Sequence, residues 1–404
     1  MRKGTGSRPL YALFTASLIS YTGSVLTLLA IPWFVLQSTG SVAQTGITAF
    51  FSTLPLVISA LLGTSIVDRL GFTRSSVASD IVSGVSVACI PLLADTIGLA
   101  FWQLLVFVFV AGLLKSPGGT ARSSLLPDLA DRAKMRRERA NAIADGVSRI
   151  AGFLGAPLAA LLITFIGTKN LLWLDAASFF ISASVIGLLV PVTRATAVSA
   201  VNESRYLRHL QQGVGFMLRD PVLLALMSTI LVTNLLDQGL SAVVAPAYIK
   251  QVFHSPLPMG WMYGAFGGAA FAGALIFAAI GHRLPRRWTL GVGSTIGGAT
   301  RFWILLVPVL PLIIAVYAMA GVGAAPTNPL IDTILQEHVS PDMRARVFGT
   351  TTAVAYIGIP LGAVLGGVLV TWIGIRDALL VMGAIYAVTT LSLLINPALQ
   401  AMDR

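Results

Sequence analysis

Charged residues are scarce in this chain of 404 residues. They make up 11% of it, whereas 56% of the residues are hydrophobic. An average soluble domain carries about 25% charged residues. The charges are also clustered, so the stretches 81–94 and 222–236 contain none. So few charges cannot cover the surface of a soluble globular protein, and the composition indicates a chain that lies in lipid.

The chain also lacks the residues and motifs that carry covalent chemistry. Its single cysteine, Cys89, excludes an intrachain disulfide and a CxxC metal or redox site. The sequence contains no GxxxxGK[ST] phosphate loop, no nucleophile elbow and no cluster of metal ligands. We therefore expect a protein that is not an enzyme, that holds no metal and that needs no cofactor.

The net charge of +11 has the wrong distribution for a nucleic-acid-binding protein. Such a protein presents Lys and Arg on a water-exposed face beside a motif that reads a groove. Here the basic residues stand between apolar runs, which is typical of membrane topology. We expect a lipid bilayer as the partner and no nucleic acid.

Apolar segments long enough to cross a membrane follow one another along the chain. A helix needs about 20 apolar residues to cross a hydrocarbon core of roughly 30 Å, because each residue rises about 1.5 Å. The sequence therefore predicts an all-α membrane protein of twelve transmembrane helices. They lie near 10–37, 43–67, 75–94, 98–120, 141–166, 170–191, 222–249, 258–281, 288–309, 311–336, 346–372 and 375–396.

Basic residues are distributed unevenly between the loops on the two sides of these helices. The loops on one side hold only Lys169, Lys250 and Arg376, and the loops on the other side hold the arginine clusters. Short cytoplasmic loops are enriched in Lys and Arg. Both termini are therefore predicted to be cytoplasmic, in a multi-pass protein of the bacterial inner membrane.

A hydrophilic stretch near the middle divides the chain into two halves. We predict an N-terminal six-helix bundle at 1–191, a cytoplasmic linker at 192–220 and a C-terminal six-helix bundle at 221–404. Within the linker, Leu207, Leu210, Val214 and Met217 recur at helical spacing and predict an amphipathic helix. Similar basic loops after the second and eighth helices indicate a duplication.

Several motifs follow one another in order along the chain. They are Asp68-Arg69 with Gly71 and Arg74, Pro127-Asp128-Leu129, Ala140-Asn141-Ala142, Gly152 with Gly155 and Pro157, Asp175-Ala176-Ala177-Ser178-Phe179, Arg219-Asp220-Pro221, and Arg344 through Gly349. Together they resemble the major facilitator superfamily, in the drug:proton antiporter branch of macrolide-efflux, Tap-like multidrug and enterobactin-exporter-like proteins. The resemblance covers nearly the whole chain. It implies two bundles around a central cavity, alternating access, and export of a small amphipathic molecule driven by the proton gradient. We expect a monomer.

Ionisable residues inside the predicted helices are the candidates for proton coupling. A charge near the bilayer centre costs at least about 2.5 to 3.5 kcal/mol on insertion scales, so its presence indicates function. The first helix contains no acid. We predict that Asp237, near the midpoint of the seventh helix, carries the proton, and that Asp332 is the second candidate. A hydrogen-bonded packing role for Asp237 is the alternative.

Three further groups of residues are assigned roles. The predicted substrate cavity holds Ser20, Tyr21, Ser24, Asn234, Gln238, Asn328 and Tyr356. The predicted conformational gate at the inner loops holds Asp68, Arg69, Arg74, Asp80, Arg344 and Arg346. In the fifth helix, Asp145 and Arg149 are four residues apart and form a structural pair, while Gly152, Gly155 and Pro157 make the helix thin and bendable.

Alternatives to drug export stay open on the sequence. The same fold would serve a dedicated exporter of one endogenous metabolite, such as a siderophore or an antibiotic, or a lysophospholipid flippase. A non-transporting membrane receptor is the alternative from another class.

Overall fold

The computed structural model describes residues 6–192 and 203–396, without the side chains of 60–69, 203–210, 341, 342 and 345. All regular structure in these residues is helical, which confirms the predicted all-α class. The helices up to the linker are α1 Arg8–Thr39, α2 Val42–Leu70, α3 Phe72–Asp95, α4 Phe101–Leu113, α5 Lys115–Arg132, α6 Arg137–Ile166 and α7 Thr168–Leu189.

The helices of the remaining chain begin with the linker helix. They are α8 Glu203–Arg219, α9 Pro221–Gly239, α10 Ala245–Phe253, α11 Leu257–Ile280, α12 Arg286–Ile304, α13 Leu310–Ala324, α14 Thr327–His338 and α15 Pro341–Ile395. A π-helical turn at Leu240–Val244 joins α9 to α10. A 3₁₀ turn at Gly281–Arg283 follows α11.

Nine stretches within the described residues are long and apolar enough to cross a membrane. Two of them, Arg137–Leu189 and Arg346–Ile395, are 53 and 50 residues long, whereas one crossing needs about 20. Gly167 and Gly374 interrupt these two stretches at φ values of 80° and 81°, a conformation that glycine adopts without strain. The chain is a multi-pass membrane protein.

The chain divides into two compact units. The first unit contains Met1–Phe34 and Phe51–Val201, and the second contains Val35–Phe50 and Asn202–Arg404. The first unit has a core in which side chains of α1, α5 and α7 meet, including Leu10, Leu125 and Ile186. The only cysteine, Cys89, lies on α3 and is partly buried.

Glycines on α15 allow it to approach α9 closely inside the second unit. Gly358, Gly362 and Gly366 recur every four residues, so they share one face of the helix. A Cβ at Gly362 would lie 1.9 Å from the carbonyl oxygen of Leu235 on α9. Helices that face lipid associate through such small residues, because their backbones can then touch. This contact holds the middle of α9 in place.

The linker, where the sequence predicts an amphipathic helix, contains the helix α8. Its Met217 is 3% exposed and belongs to the same buried cluster as Val347 of α15. Gly213 faces α15 as well, and a Cβ there would lie 2.1 Å from the Thr350 hydroxyl oxygen. The side chains of Leu207 and Leu210 fall outside the described residues. The described end of α8 therefore packs on the beginning of α15.

Candidate functional site

An ion pair between α9 and α12 lies inside the second unit. Arg301 Nη2 donates a hydrogen bond to Asp237 Oδ1. Tyr386 Oη of α15 donates to Asp237 Oδ2 at 3.4 Å. The Asp237 side chain is 35% exposed and that of Arg301 is 11% exposed. Asp237, which is predicted to carry a proton, thus has a cationic partner on another helix. The sequence alone gave that partner, Arg301, no role.

Aromatic side chains surround this pair. The Arg301 guanidinium lies 4.9 Å from the centroid of the Phe266 ring, within the range of a cation–π interaction. The rings of Tyr263 and Tyr317 pack at a centroid distance of 6.4 Å. Tyr263 also donates a hydrogen bond of 2.9 Å to the carbonyl of Ser241 in the π-helical turn. Aromatic faces therefore hold the guanidinium in place.

A glycine makes room for the tyrosine at this pair. A Cβ at Gly298 of α12 would lie 1.8 Å from Cε1 of Tyr386. Any larger residue would push the Tyr386 ring away from Asp237. The Tyr386 ring also packs against Phe302 at a centroid distance of 5.8 Å. The hydrogen bond from Tyr386 to Asp237 thus depends on the glycine at position 298.

The hydrogen bonding of the pair is incomplete. Arg301 Nε and the Tyr317 hydroxyl are both buried, and neither has a hydrogen-bond partner among the described residues. Such groups raise the free energy of a buried site unless another acceptor or donor satisfies them. Protonation of Asp237 would also leave the Arg301 charge uncompensated, which is costly in a low-dielectric interior. Protonation of Asp237 would therefore change the balance of charge at this site.

The polar neighbours predicted for Asp237 are partly buried along α9. Thr233 donates a hydrogen bond to the carbonyl of Thr229 at 2.8 Å, and Asn234 Nδ2 donates to the carbonyl of Ala355 on α15 at 3.4 Å. Gln238 is partly exposed. Among these residues, Asn234 joins α9 to α15.

The other residues predicted in this half lie in more open surroundings. Asp332 and Asn328 on α14 are exposed, and Tyr356 on α15 is 39% exposed. Asp332, the second candidate, lies on the exposed face of α14, because α14 turns its apolar face, with Ile331 and Leu335, into the core.

A second ion pair lies inside the first unit, between α3 and α5. Arg122 Nη2 donates to the two carboxylate oxygens of Asp80 at 2.6 and 2.5 Å. Their side chains are 6% and 4% exposed. The hydroxyl of Ser182 on α7 donates to Asp80 at 2.6 Å, and that of Ser20 on α1 donates at 3.3 Å. Four helices thus meet at one buried pair.

Asp80, which was predicted to belong to the conformational gate, lies inside α3. Asp80 is the ninth residue of α3, which begins at Phe72, so it lies roughly 12 Å along the helix from the loop. It pairs with Arg122, whereas Arg74 is exposed at the start of the helix. Ser20 belongs to this pair as well and is 4% exposed, in place of the open cavity position that was predicted.

The remaining gate residues are separated or undescribed. The side chains of Asp68 and Arg69 lie outside the described residues. Arg344 donates to the carbonyl of Val339 at 3.1 Å, and Arg346 donates to the Met343 sulfur at 3.2 Å. An exposed ion pair in the same unit joins Arg286 to Glu337.

A third carboxylate, Asp175 on α7, is fully buried and was not assigned a role from the sequence. Thr27 of α1 donates to its Oδ2, and Ser178 donates to its Oδ1 at 3.2 Å. A Cβ at Gly23 of α1 would lie 2.2 Å from Oδ1. Ser24, a predicted cavity residue of the same helix, is partly buried. Asp175 therefore joins α1 to α7.

The motif predicted in the fifth helix lies on α6. Arg149 Nε and Asp145 Oδ2 are 2.7 Å apart, and both side chains are more than half exposed. A Cβ at Gly155 would lie 2.6 Å from Val25 of α1, whereas nothing lies within 4 Å of one at Gly152. Pro157 stands inside the helix. Gly155 is thus the position where α6 approaches a neighbour.

Comparisons with known proteins cover nearly the whole chain. The family model described as Major Facilitator Superfamily matches residues 13–236 and 227–401. The chain is 30% identical over 398 residues to the multidrug efflux pump Tap of Mycolicibacterium fortuitum, which covers 98% of this chain and 97% of that protein. Macrolide efflux protein A of Streptococcus pyogenes is more distant, with 17% identity over 93% of this chain and 92% of that protein.

Solved structures are similar in fold. The nucleoside transporter NupG has a TM-score of 0.79 at 12% identity, over 96% of this chain and 98% of that chain. A POT family transporter in complex with 5-aminolevulinic acid has a TM-score of 0.71 at 14% identity, over 96% of each chain.

Proposed function

The chain belongs to the major facilitator superfamily, and we propose that it is a proton-coupled exporter of drugs or similar amphipathic small molecules. Two findings support this substrate class. The Tap relatives are multidrug efflux pumps by name, and the similarity to them runs through 98% of this chain. The motifs in the sequence resemble the same branch. Relatives of this kind are transporters, so we propose no enzymatic activity.

The proposal includes twelve crossings of the bacterial inner membrane with both termini in the cytoplasm. Each of the two long apolar stretches is broken by a glycine, so each is interpreted as two crossings. The helix α12, of 19 residues, supplies one more. Counted in this way, the proposal comprises twelve crossings. Transport would then proceed by movement of residues 1–191 against 221–404 in a monomer.

The ion pair of Asp237 with Arg301 is the observation that carries the coupling proposal. A carboxylate that is partly exposed can exchange protons, and inside the membrane its charge interacts strongly with that of a nearby arginine. Proton binding at Asp237 releases Arg301, whose Nε already has no acceptor among the described residues. The two protonation states favour different arrangements of α9 and α12. A conformational equilibrium is shifted in this way when one state binds the proton more tightly.

Efflux in cells tests the function. The chain is expressed in an efflux-deficient bacterium, and retention of a panel of cationic dyes and antibiotics is measured with and without a protonophore. We expect lower retention for several compounds and restoration by the protonophore. Unchanged retention across the whole panel contradicts the multidrug proposal and favours a dedicated metabolite exporter.

Substitution of Asp237 tests the coupling site. Asp237→Asn is expected to raise dye retention to the level of cells without the protein, because the side chain can no longer exchange a proton. Asp95→Asn is the matched control, since Asp95 forms an exposed ion pair with Lys169 at 2.5 Å. The double variant Asp237→Asn with Arg301→Gln removes both charges. It leaves no unpaired arginine, so a loss of efflux in this variant reports on coupling and not on folding. Asp332→Asn tests the second candidate in the same assay. Wild-type efflux in Asp237→Asn would overturn the assignment.

A further inference from the structure

A pocket inside the first unit lies between α1, α5 and α6. Its polar lining consists of Ser17 and Tyr21 from α1 with Arg122 and Ser123 from α5, and Phe14 and Leu126 belong to its apolar lining. The pocket therefore has an amphipathic wall, with polar groups beside an apolar surface. It contains no residue of the Asp237 site.

Arg122 presents one donor that the buried ion pair does not use. Its Nη2 binds Asp80, and its Nε donates to Ser76 at 3.1 Å. Nη2 also reaches Ser20 and Ser182 at 3.3 Å. No described residue accepts a hydrogen bond from Nη1, although Arg122 is only 6% exposed. Nη1 is not among the fully buried atoms without a partner, and Arg122 is one of the residues that line the pocket.

The guanidinium cannot easily turn away from this position. The Tyr21 ring lies under it, with the centroid 5.7 Å from Cζ. Hydrogen bonds to α3, α1 and α7 fix the other nitrogens. An arginine held in this way is a preorganised donor for an oxygen acceptor, because little side-chain freedom is lost on binding.

We propose that this pocket binds the carboxylate group of an amphipathic molecule, with Arg122 Nη1 as the donor and the apolar body of the ligand against Phe14 and Leu126. The inference rests on the proposed function, because it names a substrate class for the exporter. Tyr21, Ser17 and Ser123 add hydroxyl donors. The charged groups that face the site are Arg122 from α5 and Asp80 from α3, and α1 and α7 contribute only hydroxyls. Asp80 opposes an anionic ligand, so its charge sets the affinity.

The charges of Arg122 and Asp80 have opposite effects on the affinity for an anionic ligand. Removing them should therefore change that affinity in opposite directions. Full-length protein in detergent is titrated at pH 7.5 with 2-naphthoate and with 2-naphthamide, which has the same shape and no charge. Asp80→Asn should bind naphthoate about tenfold more tightly, because Arg122 loses its counter-charge. The double variant Asp80→Asn with Arg122→Gln should bind naphthoate about tenfold more weakly than wild type, the order expected for one charge-assisted hydrogen bond. Naphthamide affinity should change less than about twofold in both.

Three results would overturn the inference. They are an absence of naphthoate binding to wild type, unchanged affinity in the double variant, and weaker binding to Asp80→Asn. Tyr21→Phe removes one hydroxyl without changing charge, and it keeps the inference testable if the charge variants do not fold. Asp95→Asn again serves as the control. The naphthoate results do not depend on dye efflux by the Asp237 variants, so failure of the pocket and failure of proton coupling are distinguishable.

Discussion

Asp220 combines a helix cap with a side-chain hydrogen bond to His338 at the start of α9. Its Oδ1 accepts hydrogen bonds from the amides of Val222 at 2.9 Å and Leu223 at 3.1 Å, and its Oδ2 lies 2.8 Å from His338 Nε2. Partial burial alone would raise the pKa of Asp220. The hydrogen bonds from the Leu223 amide, from His338 and from the Val222 amide together outweigh burial and lower the pKa below its usual value of 3.8.

The lowered pKa gives a pH-dependent contribution to stability. A carboxyl group whose folded pKa is depressed stabilises the fold above its unfolded pKa, and this contribution is lost as the pH falls through the folded pKa. Asp220→Ala should cost about 1 kcal/mol at pH 7, because the helix loses its cap. Thermal unfolding in detergent measures the difference.

Asp220→Asn separates the cap from the charge. Asparagine also caps helices well, so this variant should be less destabilised than Asp220→Ala at pH 7. Its difference from wild type should shrink as the pH falls below 3.8 and through the lower folded pKa, below which Asp220 is protonated in both states. A difference that stays constant from pH 7 to pH 3 would show that the charge contributes nothing.

At single residues, the sequence identified Asp237 but not its partner. A midpoint carboxylate can be found from hydropathy alone, since it interrupts an apolar run. Arg301 lies 64 positions away, so only the tertiary fold brings the two together. Asp80 carried a detectable signal, because Ser76, Asp80 and Ser83 follow one face of α3 at helical spacing. Nothing in the sequence indicated that Asp175 would be fully buried.

The close contact between α9 and α15 should make the protein sensitive to substitutions at Gly362. Gly362→Ala should destabilise the protein by about 1–3 kcal/mol, the usual cost of overpacking, because the new methyl group would overlap the Leu235 carbonyl. Gly349→Ala is the control on the same helix, since nothing lies within 4 Å of a Cβ there. Alanine is the better helix former, so this variant should be stabilised by up to about 1 kcal/mol.

Unfolding temperatures in detergent compare the two glycine variants. An equal effect of both substitutions would mean that backbone entropy, and not the close approach of α9, decides stability at Gly362.

Helix positions follow well from hydropathy, whereas the breaks inside helices do not. The predicted segment 98–120 corresponds to α4 and the first part of α5, which are separated at Leu114. An isolated apolar run gives no reason for a break at a leucine. The π-helical turn Leu240–Val244 is equally absent from the pattern, since it depends on the fit of α9 against Gly362 and Gly366. Local geometry of this kind is set by packing.

Topology is a property of the whole chain and can be tested with reporter fusions. Alkaline phosphatase is active only outside the cytoplasm. Fused after Ser255, in the turn that follows α10, it should be active, and fused after Arg219 or Arg404 it should be inactive. The reason is the low count of basic residues on the outer side. Activity after Arg404 would contradict the cytoplasmic C-terminus.

The overall class was predictable because lipid constrains composition strongly. In hydrocarbon, backbone groups must be satisfied internally, so long apolar runs become helices. The family resemblance rested on short motifs spread along the chain, and the family model and the Tap relatives confirm it. The substrate cannot be predicted from composition or short motifs. The polar groups of a binding pocket include pairs such as Arg122 and Asp80, which come together only in the folded chain.

The single partly buried sulfur of Cys89 on α3 has a practical consequence. One substitution, Cys89→Ser, gives a background free of thiols, because the sequence contains no other cysteine. Two new cysteines, one in each unit, can then carry a pair of spin labels whose separation is read by pulsed resonance. Distances recorded at two pH values would measure how far the two labelled positions move when the protein changes state.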